Sequence, residues 1–316
     1  MKQFDTILVT GAHGLAGSAV VESLRAQGFR RVIEIGRHDC DLRDFDATAQ
    51  TFERLCPTYV FHAAACVYGI GGNMKNQGKS FLENTLINTA VIDAARQVGV
   101  KKIIVMGTNA IYGWPPKTMP IPESAIFDGR PHESESAYGQ AKRGMLAMLE
   151  AYENSYGLNW VYLVSGNLYG PRDKFNPETG HVLPTLIWRF YQASIGDEPV
   201  ELWGDGSPQR DFLYVKDLAR IVSVAMASDM HGEINIGNGT TWSIRQVVEK
   251  LSTISGVPLD RVKYDTTMPN GRMCCTLDLS RLKATGFEPE YTLETGLQET
   301  WDWYRENNNW AREAVK

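Results

Sequence analysis

No stretch of this chain has the roughly 20 consecutive apolar residues that a membrane-crossing helix needs. A helical membrane protein is therefore excluded, and no membrane partner is expected. Basic residues do not dominate either: 32 Lys and Arg face 37 Asp and Glu, for a formal net charge of −5. Without a basic stripe, no nucleic-acid partner is expected. Cysteine is scarce and unpaired in number, at Cys40, Cys56, Cys66, Cys274 and Cys275. Five cysteines without a repeating spacing argue against a disulfide framework, and the adjacent Cys274 and Cys275 lack the spacing of a zinc site. Reduced thiols belong to a reducing compartment. The opening Met1-Lys2-Gln3-Phe4-Asp5 also places an acid where a signal peptide has its apolar region, so a cytoplasmic protein is expected. Internal repeats and low-complexity segments are missing too.

What is present is enough apolar material, 43% of 316 residues, to bury a sizeable core in one large domain or two moderate ones. Thr6 to Thr10 is a short β-branched and aliphatic run, expected as a buried strand. It enters Gly11-Ala12-His13-Gly14-Leu15-Ala16-Gly17, and helical spacing follows from Ser18 to Gln27. A glycine-rich turn between strand and helix lets backbone approach a pyrophosphate at the helix amino terminus. Gly11, His13, Gly14, Leu15 and Gly17 are thus candidate dinucleotide ligands.

A second strand, Arg31 to Ile35, runs into Gly36-Arg37-His38 with no acid at its end. An acid there would hold a ribose 2′-hydroxyl, whereas an arginine suits a 2′-phosphate. Arg37, with His13 as a second contact, therefore points to NADP(H) rather than NAD. Asp41 and Leu42 follow in position to flank an adenine. A third strand at Tyr59 to His62 leads into Ala63, Ala64 and Ala65, small enough for a cofactor to lie against them. A helix is expected over Asn84 to Val98. The fourth strand, Lys102 to Met106, ends in Gly107-Thr108-Asn109-Ala110, where the Thr108 hydroxyl can meet a substrate carbonyl.

Tyr138 and Lys142 stand four residues apart in a segment expected to be helical to Tyr156, so both side chains leave one face. A neighbouring ammonium favours the phenolate and lowers a tyrosine pKa. The phenol then becomes a usable proton donor to a carbonyl oxygen. Beyond it, strands are expected at Trp160 to Val164, Val200 to Trp203, Phe212 to Val215 and Glu233 to Gly237. Helices are expected at Leu183 to Ala193, Asp217 to Ala227, Ser243 to Ser255 and Thr292 to Glu306.

Taken together, Gly11-x-x-Gly14-x-x-Gly17, the alanine run, Thr108 and Tyr138-x-x-x-Lys142 resemble the extended short-chain dehydrogenase/reductase family, also called the NAD-dependent epimerase/dehydratase family. Three later stretches resemble its GDP-L-fucose synthase branch, the GDP-4-keto-6-deoxymannose epimerase-reductases. They are Ser165 to Phe175, Gly180 to Pro184, and Trp203 to Phe212. The resemblance implies an α/β fold: a Rossmann-type doubly wound parallel sheet with a smaller α/β substrate-binding domain. Residues 1–170 and about 212–240 would bind NADP, and residues 171–211 and 241–316 the nucleotide sugar.

The resemblance also implies roles. Tyr138 would be the general acid, Lys142 would hold the nicotinamide ribose and lower the tyrosine pKa, and Thr108 would complete the triad. Asn109, Asn167, His181 and Val182 fall on substrate-site positions; Arg189, Trp203 and Arg210 fall where the branch holds the nucleotide diphosphate. The implied activity is NADPH-dependent C4 reduction of a GDP-linked 4-keto sugar by a homodimer. One departure stands out. The branch carries a cysteine two residues after the triad hydroxyl, and this cysteine works with the histidine matching His181 to invert C3 and C5. Here Ala110 occupies that place, so reduction without epimerisation is expected. A second departure is Cys274-Cys275 before Leu277-Asp278, where the branch has a basic pair; Arg272 stands nearby. Three enzymatic alternatives remain. They are a full epimerase-reductase in which water, Cys66 or His181 serves as the missing group, a 4-epimerase with tightly held NAD, and a dehydratase, against which Asn109 and Ala110 speak. A non-catalytic dinucleotide sensor is the alternative outside enzymology.

Overall fold

The structure is a computed structural model and describes all residues except 68–69, 178, 269, 271–273 and 314–316. Arg272 lies outside the described residues.

The first strand, β1 (Ile7–Thr10), is buried along its whole length, as its uninterrupted apolar run requires. After it come α1 (Leu15–Ala26), β2 (Val32–Ile35), α2 (Phe45–Leu55), β3 (Tyr59–His62), α3 (Ile70–Lys75), α4 (Gln77–Gln97) and β4 (Lys102–Met106). A 3₁₀ turn at Asn109–Ile111 precedes α5 (Ser136–Tyr156), β5 (Trp160–Ser165) and β6 (Asn167–Tyr169). The remainder is α6 (Val182–Ile195), β7 (Val200–Trp203), β8 (Gln209–Tyr214), α7 (Val215–Ala227), β9 (Gly232–Ile236), β10 (Thr241–Ser243), α8 (Ile244–Ser255), β11 (Val262–Asp265), α9 (Ser280–Ala284) and α10 (Leu293–Glu313).

Six strands form one sheet in the order β2-β1-β3-β4-β5-β9, all parallel. Helix α1 packs with α7, and α4 with α5. Helical cover over both faces is what a wholly buried parallel sheet needs. The registers Thr10↔Ile35 and Thr10↔His62 bring three strand ends level along one edge. From β1 the chain steps to β2 on one side and then crosses to β3 on the other. That reversal opens a crevice at the carboxyl ends of β1 and β3.

Two smaller sheets, β10-β8-β6 and β11-β7, lie outside the central one. The run Phe212 to Val215 was expected to return toward the main sheet, but Phe212 to Tyr214 end β8, which pairs with β6 and β10, and Val215 opens α7. The reason is visible in β8: Gln209, Arg210 and Asp211 are at least partly exposed, and only Phe212 to Tyr214 are buried. A fully covered parallel sheet has no room for such a polar half. The chain rejoins the main sheet at β9, beside β5.

Local signals explain the helix ends. Ser243 accepts a hydrogen bond from the Gln246 amide (3.1 Å), and the Gln246 side chain accepts one from the Ser243 amide (2.9 Å). This reciprocal cap starts α8. Gly157, in the left-handed region at φ 70°, stops α5. Helix α4 starts at Gln77, earlier than the apolar spacing from Asn84 indicates. Lys102, buried in β4, donates to the carbonyls of Ala225, Ser228 and Met230 at 3.1, 2.7 and 3.0 Å. Its three N–H groups thus satisfy the open end of α7, where the helix dipole also favours a cation.

Candidate active site

The glycine turn after β1 is built against backbone. Gly11 sits at φ +69°, and a Cβ there would lie 2.7 Å from the Ala64 nitrogen. At Gly17 a Cβ would lie 2.2 Å from the Gly11 carbonyl oxygen. Gly14 caps α1 in extended conformation with no side chain of its own over the helix end. The first amides of a twelve-residue helix therefore face the crevice, beside Leu15 and the partly exposed Ala63, Ala64 and Ala65. This cradle fits a pyrophosphate.

Beyond it, His13 covers Gly36 so closely that a Cβ on Gly36 would come within 2.4 Å of the ring. Its two nitrogens stand 3.8 Å from Glu34 and 3.9 Å from Asp39. Asp39 folds back and accepts from the Gly36 amide at 2.8 Å. The sequence shows no acid at the end of β2, but the turn brings one there. Arg37 is exposed beside it. Asp41 is clamped by Arg43 at 2.7 Å, which holds its carboxyl down to about 2. Leu42 is buried in the core beneath.

The proton-handling end comes from β4 and α5. Thr108 closes the 3₁₀ turn by accepting from the Ala110 amide (3.2 Å), and Ala110 itself is 3% exposed. A Cβ on Gly139 would lie 2.3 Å from the Ala110 carbonyl oxygen, so only glycine lets α5 approach this turn. That approach places its neighbour Tyr138 at the crevice. Lys142 is 1% exposed and donates to the Met106 carbonyl at 2.9 Å; its Nζ stands 5.9 Å from the Tyr138 ring centre.

The electrostatics differ from the sequence expectation. Burial of the ring raises the Tyr138 pKa, with the Cys66 thiol acting in the same direction. Lys142 is buried as well, and its own burial brings its pKa down to about 7. Beside it, the fully buried His62 bonds the Thr10 hydroxyl at 2.7 Å and the Asn88 side-chain oxygen at 3.2 Å. Burial, then the nearby Lys142, lowers His62 to about 3 and keeps it neutral.

The other end of the cleft is carried by the smaller sheets. On β6, Asn167 donates to the Asp211 carbonyl at 3.3 Å. His181 stands at the amino end of α6, with the exposed Val182 next to it. Two turns on, Arg189 donates to the Glu201 carbonyl. Trp203, at the end of β7, is 63% exposed, and Arg210 lies on β8. Burial lowers the pKa of Arg189 and of Arg210, with the Cys275 and Cys274 thiols close to Arg210. Both guanidiniums stay charged at any ordinary pH.

A family model described as the NAD-dependent epimerase/dehydratase family matches residues 7–237. The chain belongs to that family. It is 37% identical over 306 residues to GDP-L-fucose synthase 1 of Arabidopsis thaliana, covering 95% of this chain and 93% of that one. The fold superposes on a GDP-L-fucose synthetase from Naegleria fowleri bound to NADP, with a TM-score of 0.92, 31% identity and coverage of 99% and 96%. It also matches a GDP-mannoheptose C4 reductase from Campylobacter jejuni with NADP bound, with a TM-score of 0.85, 28% identity and coverage of 96% and 99%.

Within this member of the family, sequence reasoning missed His62, Asp39 and Lys174. Lys174 donates to the Val67 carbonyl at 2.8 Å, joining the loop after β6 to the loop after β3. Surrounding protein, and then this ammonium, lowers the pKa of His181 even though solvent reaches its ring. A polar residue at the end of a buried parallel strand, as at His62, was the available signal. Lys174 gave none, since a lysine in a polar loop is unremarkable in one sequence.

A pH dependence follows from Lys142. Its folded pKa of about 7 lies below the ordinary 10.5, so the ammonium beside Tyr138 is lost as pH rises through 7. In the free enzyme, kcat/KM for carbonyl reduction should fall above about pH 7, approaching tenfold per pH unit. Lys142→Met should give a low profile without that break. Between 7 and 10.5 the unfolded chain binds the extra proton, so this group's contribution to stability rises with pH in that window. A wild-type profile flat from pH 6 to 9 would contradict the assignment.

Proposed function

We propose that this protein is an NADPH-dependent C4 reductase of a GDP-linked 4-keto sugar that leaves C3 and C5 untouched. The observation that carries the reading is the buried methyl of Ala110 beside an intact Thr108, Tyr138 and Lys142. Reduction needs one proton donor beside the ketone. Inversion next to a ketone needs a base on one face and an acid on the other. Ala110 has no proton to move, and His181 supplies a single partner.

The residues fit the cofactor, which supplies a hydride when bound. Gly11, Gly14 and Gly17 give the diphosphate its backbone cradle. Ala63 to Ala65 leave room along β3, and Arg37 meets the adenosine end. At the substrate, the Thr108 hydroxyl hydrogen-bonds the ketone oxygen and Tyr138 delivers the proton to it. A phenol with a raised pKa keeps its proton until the oxygen gains negative charge, which suits an acid rather than a base. The Lys142 ammonium then steadies the phenolate left behind. Arg189 and Arg210 offer guanidiniums for the diphosphate, a geometry matched to phosphate oxygens.

A second reading rests on Cys66. Its thiol acts on Tyr138, and burial pushes it up to about 11, with Glu83 adding to that rise. A thiol that stays protonated could serve as the acid opposite His181 in a bifunctional epimerase-reductase. One experiment separates the two. GDP-4-keto-6-deoxymannose is reduced by NADPH in deuterated water and the product is read by NMR. The reductase reading expects no deuterium at C3 or C5. Deuterium there, lost in Cys66→Ala with reduction kept, would establish the second.

A further inference from the structure

Asn235 lies on β9, the edge strand of the main sheet, and is 0% exposed. An edge strand leaves backbone groups without a strand partner. Here the Asn235 amide donates to the buried Glu123 carboxylate at 2.8 Å. The side chain reaches three separate segments. Its Oδ1 accepts from the Tyr112 hydroxyl at 2.5 Å, and its Nδ2 donates to the carbonyls of Ile121 (2.9 Å) and Asp278 (3.1 Å). Both donors of the amide are used, and its oxygen is engaged by the tyrosine.

The segments so joined reach both ends of the cleft. Tyr112 follows the 3₁₀ turn that carries Asn109 and Ala110, and its amide donates back to the Asn109 carbonyl at 3.2 Å. Ile121 is paired with the chain after Cys275: its amide donates to Thr276 and its carbonyl accepts from Asp278, both at 2.9 Å. Immediately before that pairing, Cys275 packs against the core cluster that holds Tyr112, and its thiol acts electrostatically on Arg210.

We infer that Asn235 is a positioning residue that fixes the nucleotide-holding side of the cleft against its proton-donating turn, through Tyr112 and the 276–278 segment. It touches no substrate in this account. It sets how far Arg210 and its neighbours stand from Thr108 and Tyr138. Aspartate lacks the two donors, and alanine removes all three side-chain bonds, including the one to the buried Tyr112 hydroxyl. The inference rests on the nucleotide-sugar reading above.

The test uses the full chain with two variants. Tyr112→Phe removes one bond and keeps the ring; Asn235→Ser removes the hub. Calorimetry measures GDP and NADPH binding separately, and steady-state kinetics measure turnover of GDP-4-keto-6-deoxymannose. Tyr112→Phe should weaken GDP binding, and raise the keto-sugar KM, by about tenfold. The NADPH Kd and kcat should stay within about threefold. Asn235→Ser should shift the same quantities further in the same directions. A lowered melting temperature with both Kd values unchanged would overturn the inference, as would equal loss of GDP and NADPH binding. A wild-type protein that binds NADPH but no GDP would instead refute the nucleotide reading, and the positioning role with it.

Discussion

Tyr138→Phe is expected to lower kcat for keto-sugar reduction by about 10²- to 10⁴-fold, the usual worth of a positioned general acid. NADPH affinity and the melting temperature should barely change. Phenylalanine keeps the ring that stands 5.9 Å from Lys142 Nζ, and it leaves Gly139 free to pack on the Ala110 carbonyl. Only the hydroxyl goes. Hydride delivery to a ketone builds charge on the oxygen, and without a donor that charge must be met by Thr108 or by water. The expected signature is a fall in kcat with KM for the sugar nearly constant, because the lost interaction belongs to the transition state. Turnover of the variant within threefold of the parent would mean that the phenol does not handle the proton.

Gly17→Ala is expected to be nearly as damaging by a different route. A methyl at position 17 would lie 2.2 Å from the Gly11 carbonyl oxygen and 2.8 Å from the Ala12 Cα. Both are backbone atoms, so no rotamer change relieves the clash; α1 must move away from the turn. Displacement of a buried helix costs about 1–3 kcal/mol. It also carries the helix amides away from the pyrophosphate, so NADPH binding should weaken by at least about a hundredfold. Gly14→Ala is the matched control. There the nearest atom is the Gly11 oxygen at 3.4 Å, and φ is −84°, open to any residue. Melting temperature should rank the parent and Gly14→Ala close together and Gly17→Ala behind, and fluorescence titration with NADPH should place Gly17→Ala far behind the parent. Equal melting temperatures for the two variants would remove the close-packing argument.

Much of the main sheet was legible because its strands are short apolar runs ending at glycine or alanine, and the residues after them form the crevice. Gly11, Gly17 and Ala64 meet in the structure as their chemistry requires. Elements whose residues are mixed were harder to read. Asn167–Tyr169, Thr241–Ser243 and Val262–Asp265 each have three or four residues and no alternation long enough to declare a strand. The assignment of Phe212 to Val215 failed for a related reason: apolar character showed that the run is buried, not which sheet buries it. In the site, helical spacing brought Tyr138 and Lys142 together correctly. It could not reveal how deeply the pair is buried, and burial raises the phenol pKa while it lowers that of the lysine. Asn235 and Lys174 act across more than a hundred residues, a distance no local pattern encodes.

The lysine that closes α7 has a consequence for how the chain can be divided. Lys102 bonds carbonyls 123, 126 and 128 positions further along. During synthesis its ammonium must stay hydrated until more than two thirds of the protein has left the ribosome. A fragment cut after β5 would carry an interior cation with no acceptors and a sheet missing its last strand. The six-stranded sheet is thus not a module that a gene could shuffle as one contiguous piece, and its completion waits on sequence made after β6, β7 and β8, which lie outside it.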